Sequence, residues 1–233
     1  MKQRKRSAFS LIELIVVIAI CLMLIAILLA VLAKARRGAH AANCLSNLRS
    51  VGQALAIYQN NNKGWAFPVM NDAFGVIGLG LNVPPHERWP IKVFVVAGAP
   101  LPPPYESSNY VTADAGTPDF DPQPYTPDVL VCPSDDEPAM AHTYVLNNHL
   151  ADAGIRAGKR VNGVSSSEII VTGEKREQAL DYYMEWGDYE RVVDRYKHGE
   201  RVGAHYLYVD GHASPALPGE ALRGIDPWDP TRQ

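Results

Sequence analysis

The sequence predicts an α+β protein, with one long N-terminal α-helix packed on a small antiparallel β-sheet head that carries long proline-rich loops. Three observations lead there. The longest apolar run of the 233-residue chain lies before Arg36, all 18 prolines lie at Pro68 or later, and short β-rich apolar runs recur from Ile91 onward. Composition removes other classes. A chain that is 47% hydrophobic and 20% charged is too apolar to be disordered. Three cysteines are too few for a small scaffold stapled by disulfides. A net charge of −3 and a pI near 6.2 argue against nucleic-acid binding by bulk charge.

The first element is a membrane-length helix. Met1-Lys2-Gln3-Arg4-Lys5-Arg6 brings four positive charges and no acid, and Leu14 to Ala33 are 20 residues without a charge. At about 1.5 Å per residue that run spans roughly 30 Å, the thickness of a bilayer's hydrocarbon core. No Pro or Gly interrupts it. A cleaved secretory signal has a shorter apolar region, of roughly 7–15 residues. Glu13 stands at the start of the run, where a carboxylate at membrane depth costs a few kcal/mol and needs either water or a partner.

Helical patterning continues past the apolar run. Leu45, Leu48, Val51, Leu55 and Tyr58 are spaced 3, 3, 4 and 3 apart, which makes one apolar stripe. Asn60-Asn61-Asn62-Lys63-Gly64 is a stop signal, so the helix is expected from Phe9 to about Asn62, with Gly38 and Gly52 as points of bending. Strands are expected at Ile91–Ala97, Val129–Cys132, Thr143–Leu146, Ile169–Thr172 and Ala204–Val209. Ten prolines between Pro100 and Pro138 rule out a central strand there and predict an extended surface loop. Glu174–Tyr196 is rich in charge and tyrosine, and holds a helix or a long excursion. The expected division is 1–8 leader, 9–62 helix with a transmembrane half at about 11–33, and 63–233 head.

Ala8-Phe9-Ser10-Leu11-Ile12-Glu13-Leu14, between a basic leader and a long apolar run, closely resembles the class III signal of type IV pilins and type II secretion pseudopilins. The resemblance implies a cut by a membrane peptidase between Ala8 and Phe9, methylation of the new Phe9 amine by the same enzyme, and an assembly role for Glu13. In that family the Glu neutralises the N-terminal amine of a neighbouring subunit inside an apolar core. Opposite charges attract strongly there, and an unpaired one is expensive. Ala8 replaces the family's usual Gly, another small residue that lets the peptidase approach the backbone. The head resembles, more loosely, a group of bacterial prepilin-like proteins through Cys44-Leu45-Ser46-Asn47-Leu48-Arg49, Val131-Cys132-Pro133-Ser134-Asp135 and Tyr144-Val145-Leu146-Asn147. The same group ends in a His, a spacer and an Asp-Gly-His turn, here His198 and Asp210-Gly211-His212, with a spacer of eleven residues instead of the common nine.

Cys44 and Cys132 are candidates for a disulfide tying sheet to helix, which a periplasmic location permits; two small buried thiols are the alternative. Cys21 lies mid-span and reads as a packing residue. His198, His205, Asp210 and His212 invite a metal reading. However, His205 and Asp210 differ by an odd number of residues and face opposite sides of a strand, and Asp-Gly after an apolar strand is an ordinary turn signal. No metal site and no cofactor are therefore expected, with calcium through Asp135, Asp136 and Glu137 as the reserve. No nucleophile elbow, phosphate loop or HExxH pattern occurs, and His142 and His149 with Ser165 to Ser167 form no recognisable triad, so the chain is not expected to be an enzyme.

The resemblance implies a structural subunit of a pilus-like filament, first a type II secretion pseudopilin, alternatively a type IV pilus subunit serving adhesion, motility or DNA uptake. A membrane-anchored periplasmic enzyme or binding protein is the reading from another class. The implied partners are other pilin-like subunits in a homo- or hetero-polymer, the prepilin peptidase/methyltransferase, an assembly ATPase, a platform membrane protein and the membrane itself. The implied location is the inner membrane, single-pass, with the N-terminus cytoplasmic and the head periplasmic, and later a periplasmic or cell-surface filament. Removing the four positive charges of residues 1–8 takes the net charge from −3 to −7, which disfavours DNA binding by bulk charge.

Overall fold

The computed structural model describes residues 11–64, 128–135, 142–147, 150, 160, 163–179, 183–184 and 189–217. The chain divides into two compact units, Met1–Ala39 and His40–Gln233. Helix α1 runs without a break over Leu11–Asn61, so the unit boundary falls inside it. From His40 onward the helix is part of the head, because Cys44, Leu48, Val51, Gly52, Ala54, Leu55, Tyr58 and Gln59 are buried. The apolar stripe read from the sequence is this face, broadened by Cys44, Gly52 and Ala54. The helix ends through the expected stop signal: Gly64 N–H bonds the Gln59 carbonyl at 2.7 Å, with Lys63 in the left-handed region at φ 57°. That six-to-one closure satisfies a carbonyl the helix would otherwise leave open.

The head is a five-stranded sheet in the order β3-β1-β2-β4-β5. Its strands are β1 (Tyr144–Asn147), β2 (Ile170–Glu174), β3 (Tyr183–Met184), β4 (Ala204–Tyr208) and β5 (Ala213–Ala216). The pairs β1–β2, β2–β4 and β4–β5 are antiparallel, and short β3 joins β1 in parallel at the edge. Period-two alternation sorts the side chains onto two faces. Tyr144, Leu146, Ile169, Val171, Leu207 and Val209 pack with the buried face of α1, while Val145, Ile170, Ala204 and Tyr206 pack with Val192 and Val193 on the other side. Val192 ends α2, one helical turn over Tyr189–Val192.

The α+β reading holds, as do strands close to those expected at residues 143–146, 169–172 and 204–209. The expected strand Val129–Cys132 does not form. Asp128–Leu130 is a 3-10 turn, and Cys132-Pro133-Ser134-Asp135 is a reverse turn closed by Asp135 N–H to Cys132 carbonyl at 2.8 Å. Pro133 explains this, since it has no N–H for a ladder and a fixed φ suited to the second turn position. Strand β5 was not expected, because Pro215 interrupts its sequence; as an edge strand it tolerates a missing donor. Gly52 has a second reason to be glycine. A Cβ there would lie 2.6 Å from the Gly211 carbonyl oxygen and 2.9 Å from Leu207 Cδ1, so the glycine lets helix and turn touch. Gly211, at φ 89°, lies in the turn between β4 and β5. The expected strand Ile91–Ala97 and most of the proline-rich stretch fall outside the described residues.

Candidate functional site

Two features stand out against an ordinary small α+β head. The first is the beginning of α1. Every residue from Leu11 to Ala39 is exposed, and the large apolar side chains between Leu11 and Leu32 range from 49% exposed at Ile25 to 76% at Leu11. They fill most positions of that stretch and therefore cover every face of the helix, a pattern that belongs in lipid or among other helices. Among the described residues this is the one helix long and apolar enough to cross a membrane. Glu13 lies near the start of the described part of the helix. Cys21 is an exposed free thiol within the same run. Ala8 and Phe9 lie outside the described residues.

The second feature is the junction where α1 meets the sheet. Cys44 and Cys132 are joined by a disulfide across 88 positions, with Cα atoms 4.8 Å apart, and both are fully buried. The junction is further fixed by hydrogen bonds from α1 side chains to distant main chain: Asn47 Nδ2 to Val131 carbonyl at 2.9 Å and Gln59 Nε2 to Val209 carbonyl at 3.0 Å. Tyr144 Oη donates to the Cys44 carbonyl at 3.2 Å, and Cys132 N–H donates to Thr143 Oγ1 at 2.8 Å. Both cysteine backbones are thus held from outside the disulfide.

Beside the disulfide lies a buried polar cluster that no local pattern announces. Glu174, at the end of β2, accepts a bond from His198 Nε2 on Oε1 at 2.8 Å and from the His205 backbone N–H on Oε2 at 2.8 Å. His205 Nδ1 lies 3.4 Å from the same Oε1, close enough to pair electrostatically but outside hydrogen-bond geometry. The two imidazoles pack with centroids 4.2 Å apart and planes tilted by 34°. Burial alone would raise the Glu174 carboxyl. The hydrogen bond from His198, the nearness of His205 and the charge both rings can carry outweigh it, so the carboxyl sits below its ordinary value. Burial first, then the Glu174 charge, push the Tyr144 phenol well above its ordinary value, against the hydrogen bond with Asn47.

Residues 3–29 match the family model described as the prokaryotic N-terminal methylation motif. The chain opens with a prepilin-type signal. The match takes in Ala8, Phe9 and Glu13 and ends inside the exposed apolar stretch of α1. Such a motif supports a pilin-like subunit of a pilus or pseudopilus. It implies processing by a prepilin peptidase and assembly with other pilin-like subunits, and it suits anchoring in an inner membrane. No curated protein and no solved structure matches the chain.

Outside the prepilin-type signal, the head scatters most of the residues weighed above. Asp135 is buried in an ion pair with Lys197, while Asp136 and Glu137 lie outside the described residues. His212 Nδ1 bonds Asp210 Oδ1 at 2.6 Å within the exposed turn and stacks on Tyr208. His142 Nδ1 bonds the Tyr144 carbonyl at 2.9 Å, Ser165 and Ser167 bond one another, and His149 lies outside the described residues. His198 is drawn instead to Glu174 and His205, and its Nδ1 lies 3.3 Å from Ser134 Oγ. Glu174 was the functional-type residue that sequence reading missed. Its only local mark is a charge at the last position of an otherwise uncharged strand.

Proposed function

We propose that the chain is a structural subunit of a pilus-like filament and, within that class, a type II secretion pseudopilin. One observation carries the reading. A single helix joins an all-round apolar segment behind a methylation motif to an amphipathic segment whose inner face is the core of the head. In this reading the leader is cut between Ala8 and Phe9 at the cytoplasmic face, and Phe9 becomes the methylated N-terminus. The apolar segment rests in the inner membrane with the head in the periplasm until polymerisation. An assembly ATPase and a platform membrane protein then move the subunit from lipid into a bundle of neighbouring helices. The transfer keeps apolar surface out of water on both sides. Glu13 meets the Phe9 amine of an adjacent subunit, where two buried opposite charges fix axial register. The role is mechanical and not enzymatic, with no cofactor required for it. A pseudopilin is favoured over a pilus subunit because the cysteine pair ties helix to head, and no pair lies near the C-terminus.

The test is intact mass of the N-terminal peptide, with and without the prepilin peptidase, followed by Glu13→Ala. The expected peptide begins at Phe9 and is one methyl group heavier, only when the peptidase is present. Glu13→Ala is expected to leave the head folded and to abolish incorporation into cross-linked filaments. A chain still beginning at Met1, or filaments formed normally by Glu13→Ala, would overturn the filament reading in favour of an anchored periplasmic protein. Deletion in the source cell then separates the machines. Lost secretion of exoproteins with surface pili retained supports the pseudopilin, and the reverse assigns the chain to a type IV pilus.

A further inference from the structure

We infer that the head holds a zinc site made by Cys44, Cys132, His198 and Glu174, available whenever the two cysteines are thiols. The four donor atoms come from four separate places: the middle of α1, the Cys132–Asp135 turn, the end of β2 and the turn before β4. Yet the two sulfurs, a carboxylate oxygen and an imidazole nitrogen all lie within 4.8 Å of one another. Tetrahedral zinc, with roughly 2.3 Å to sulfur and 2.0–2.2 Å to nitrogen or oxygen, spaces its ligands by roughly 3.3–3.8 Å, so the span of the set suits a tetrahedral site once the sulfurs, joined in this structure, part to that spacing. The two thiolates and the imidazole select zinc over calcium, which takes oxygen ligands.

Three observations beyond the four donors support a cation here. The carboxylate is fully buried, and its Oε1 faces His198 Nε2 at 2.8 Å, a spacing that requires a proton or a metal between them. Buried His205 turns an Nδ1 without a hydrogen bond toward that same oxygen. Each ligand is also oriented by a second group, as metal ligands commonly are. Ser134 Oγ lies 3.3 Å from His198 Nδ1, the His205 N–H holds Glu174 Oε2, Tyr144 Oη holds the Cys44 carbonyl, and Thr143 Oγ1 holds the Cys132 N–H. Binding moves no electrons. Zn2+ displaces one proton from each thiol and forms two Zn–S bonds; it takes a lone pair from Glu174 and one from His198 Nε2, whose proton passes to Nδ1, beside Ser134 Oγ. The disulfide excludes the metal, since its sulfurs have no thiolate charge to offer. The same junction therefore has two closures, a metal for the thiol form and a covalent bond for the oxidised form. This inference does not depend on the filament reading.

The experiment uses the full chain in detergent micelles, opened with a phosphine reductant under anaerobic conditions and titrated with Co2+ as a spectroscopic stand-in for zinc. The expected result is one equivalent bound, with thiolate-to-cobalt charge-transfer absorption, the intense visible bands of a tetrahedral site, and displacement by Zn2+. The oxidised chain is expected to show none of these. Cys132→Ser should abolish the charge-transfer absorption, and His198→Ala and Glu174→Gln should each weaken binding at least ten-fold. Should opening the disulfide erase the near-ultraviolet circular dichroism of the head, Zn2+ must restore it. Failure to restore it, absence of the thiolate absorption, equal cobalt binding by the oxidised chain, or full affinity in His198→Ala would each overturn the site.

Discussion

Helix α1 carries two kinds of apolar surface. Between Leu11 and Leu32 its large side chains are exposed on all sides. Between Cys44 and Gln59 one face is buried against the chain's own sheet, while Ala56 and Ile57 stay exposed. A soluble domain would have no use for the first pattern, and a plain membrane anchor would have none for the second. The difference separates what the chain satisfies by itself from what it leaves to its surroundings. The described part of the head buries its own core, whereas the apolar segment leaves its side chains to lipid or to other helices.

Five substitutions should break or sharpen that contrast. The largest effect belongs to Cys132→Ala, which opens an 88-residue closure; chain-entropy arithmetic gives about 4–5 kcal/mol lost from the head. Denaturant titration followed by tyrosine and tryptophan fluorescence would measure it, and a loss below about 1 kcal/mol would show that the junction does not depend on the bond. Next comes a matched pair in the two halves of α1. Leu55→Ala deletes a fully buried side chain and should cost the head about 2–5 kcal/mol. Leu24→Ala, 62% exposed, should leave the head's unfolding midpoint where it was.

Glu174→Gln comes third. A buried charge-assisted hydrogen bond is replaced by a neutral one, at about 1–3 kcal/mol near pH 7. Because the folded carboxyl lies below 4.5, the unfolded chain takes up its proton first as pH falls. Stability from Glu174 is therefore complete above the ordinary carboxylate value and is lost as pH drops through the folded one. Acid titrations of both proteins should show that component in the wild type and not in the variant. The smallest effect is expected for Gly52→Ala. Overlap with the Gly211 carbonyl costs about 1–3 kcal/mol, partly offset by a helix-propensity gain of about 0.5–1 kcal/mol, and a thermal melt would give the net sign.

The comparison also explains what could be read in advance. The apolar segment announces itself because its signal is local: consecutive residues, one period, one basic flank. The stripe of α1 and the runs that became β1, β2 and β4 were legible for the same reason. Val129–Cys132 looked equally like a strand, but Pro133 and a long-range bond from Thr143 N–H to the Leu130 carbonyl at 2.9 Å decided otherwise. β5 was hidden by Pro215, whose harmlessness follows from edge position, a property of the finished sheet. The cluster around Glu174 was the least legible part. His198 and His205 lie 24 and 31 positions from Glu174, and only the antiparallel pairing of β2 with β4 brings them to one carboxylate. Gly52 suggests a bend when only the helix sequence is in view, while its contact with the turn depends on Gly211, 159 positions away.

The bond between Cys44 and Cys132 also sets what a protease can achieve. Residues 45–131 form a closed covalent ring that contains much of the proline-rich stretch. A single cut anywhere in that ring opens it without dividing the molecule. All five strands among the described residues follow Cys132 in the chain, so after such a nick that sheet stays attached to the apolar helix through two sulfur atoms. Only a second cleavage outside the ring, or reduction of the bond, could release the head.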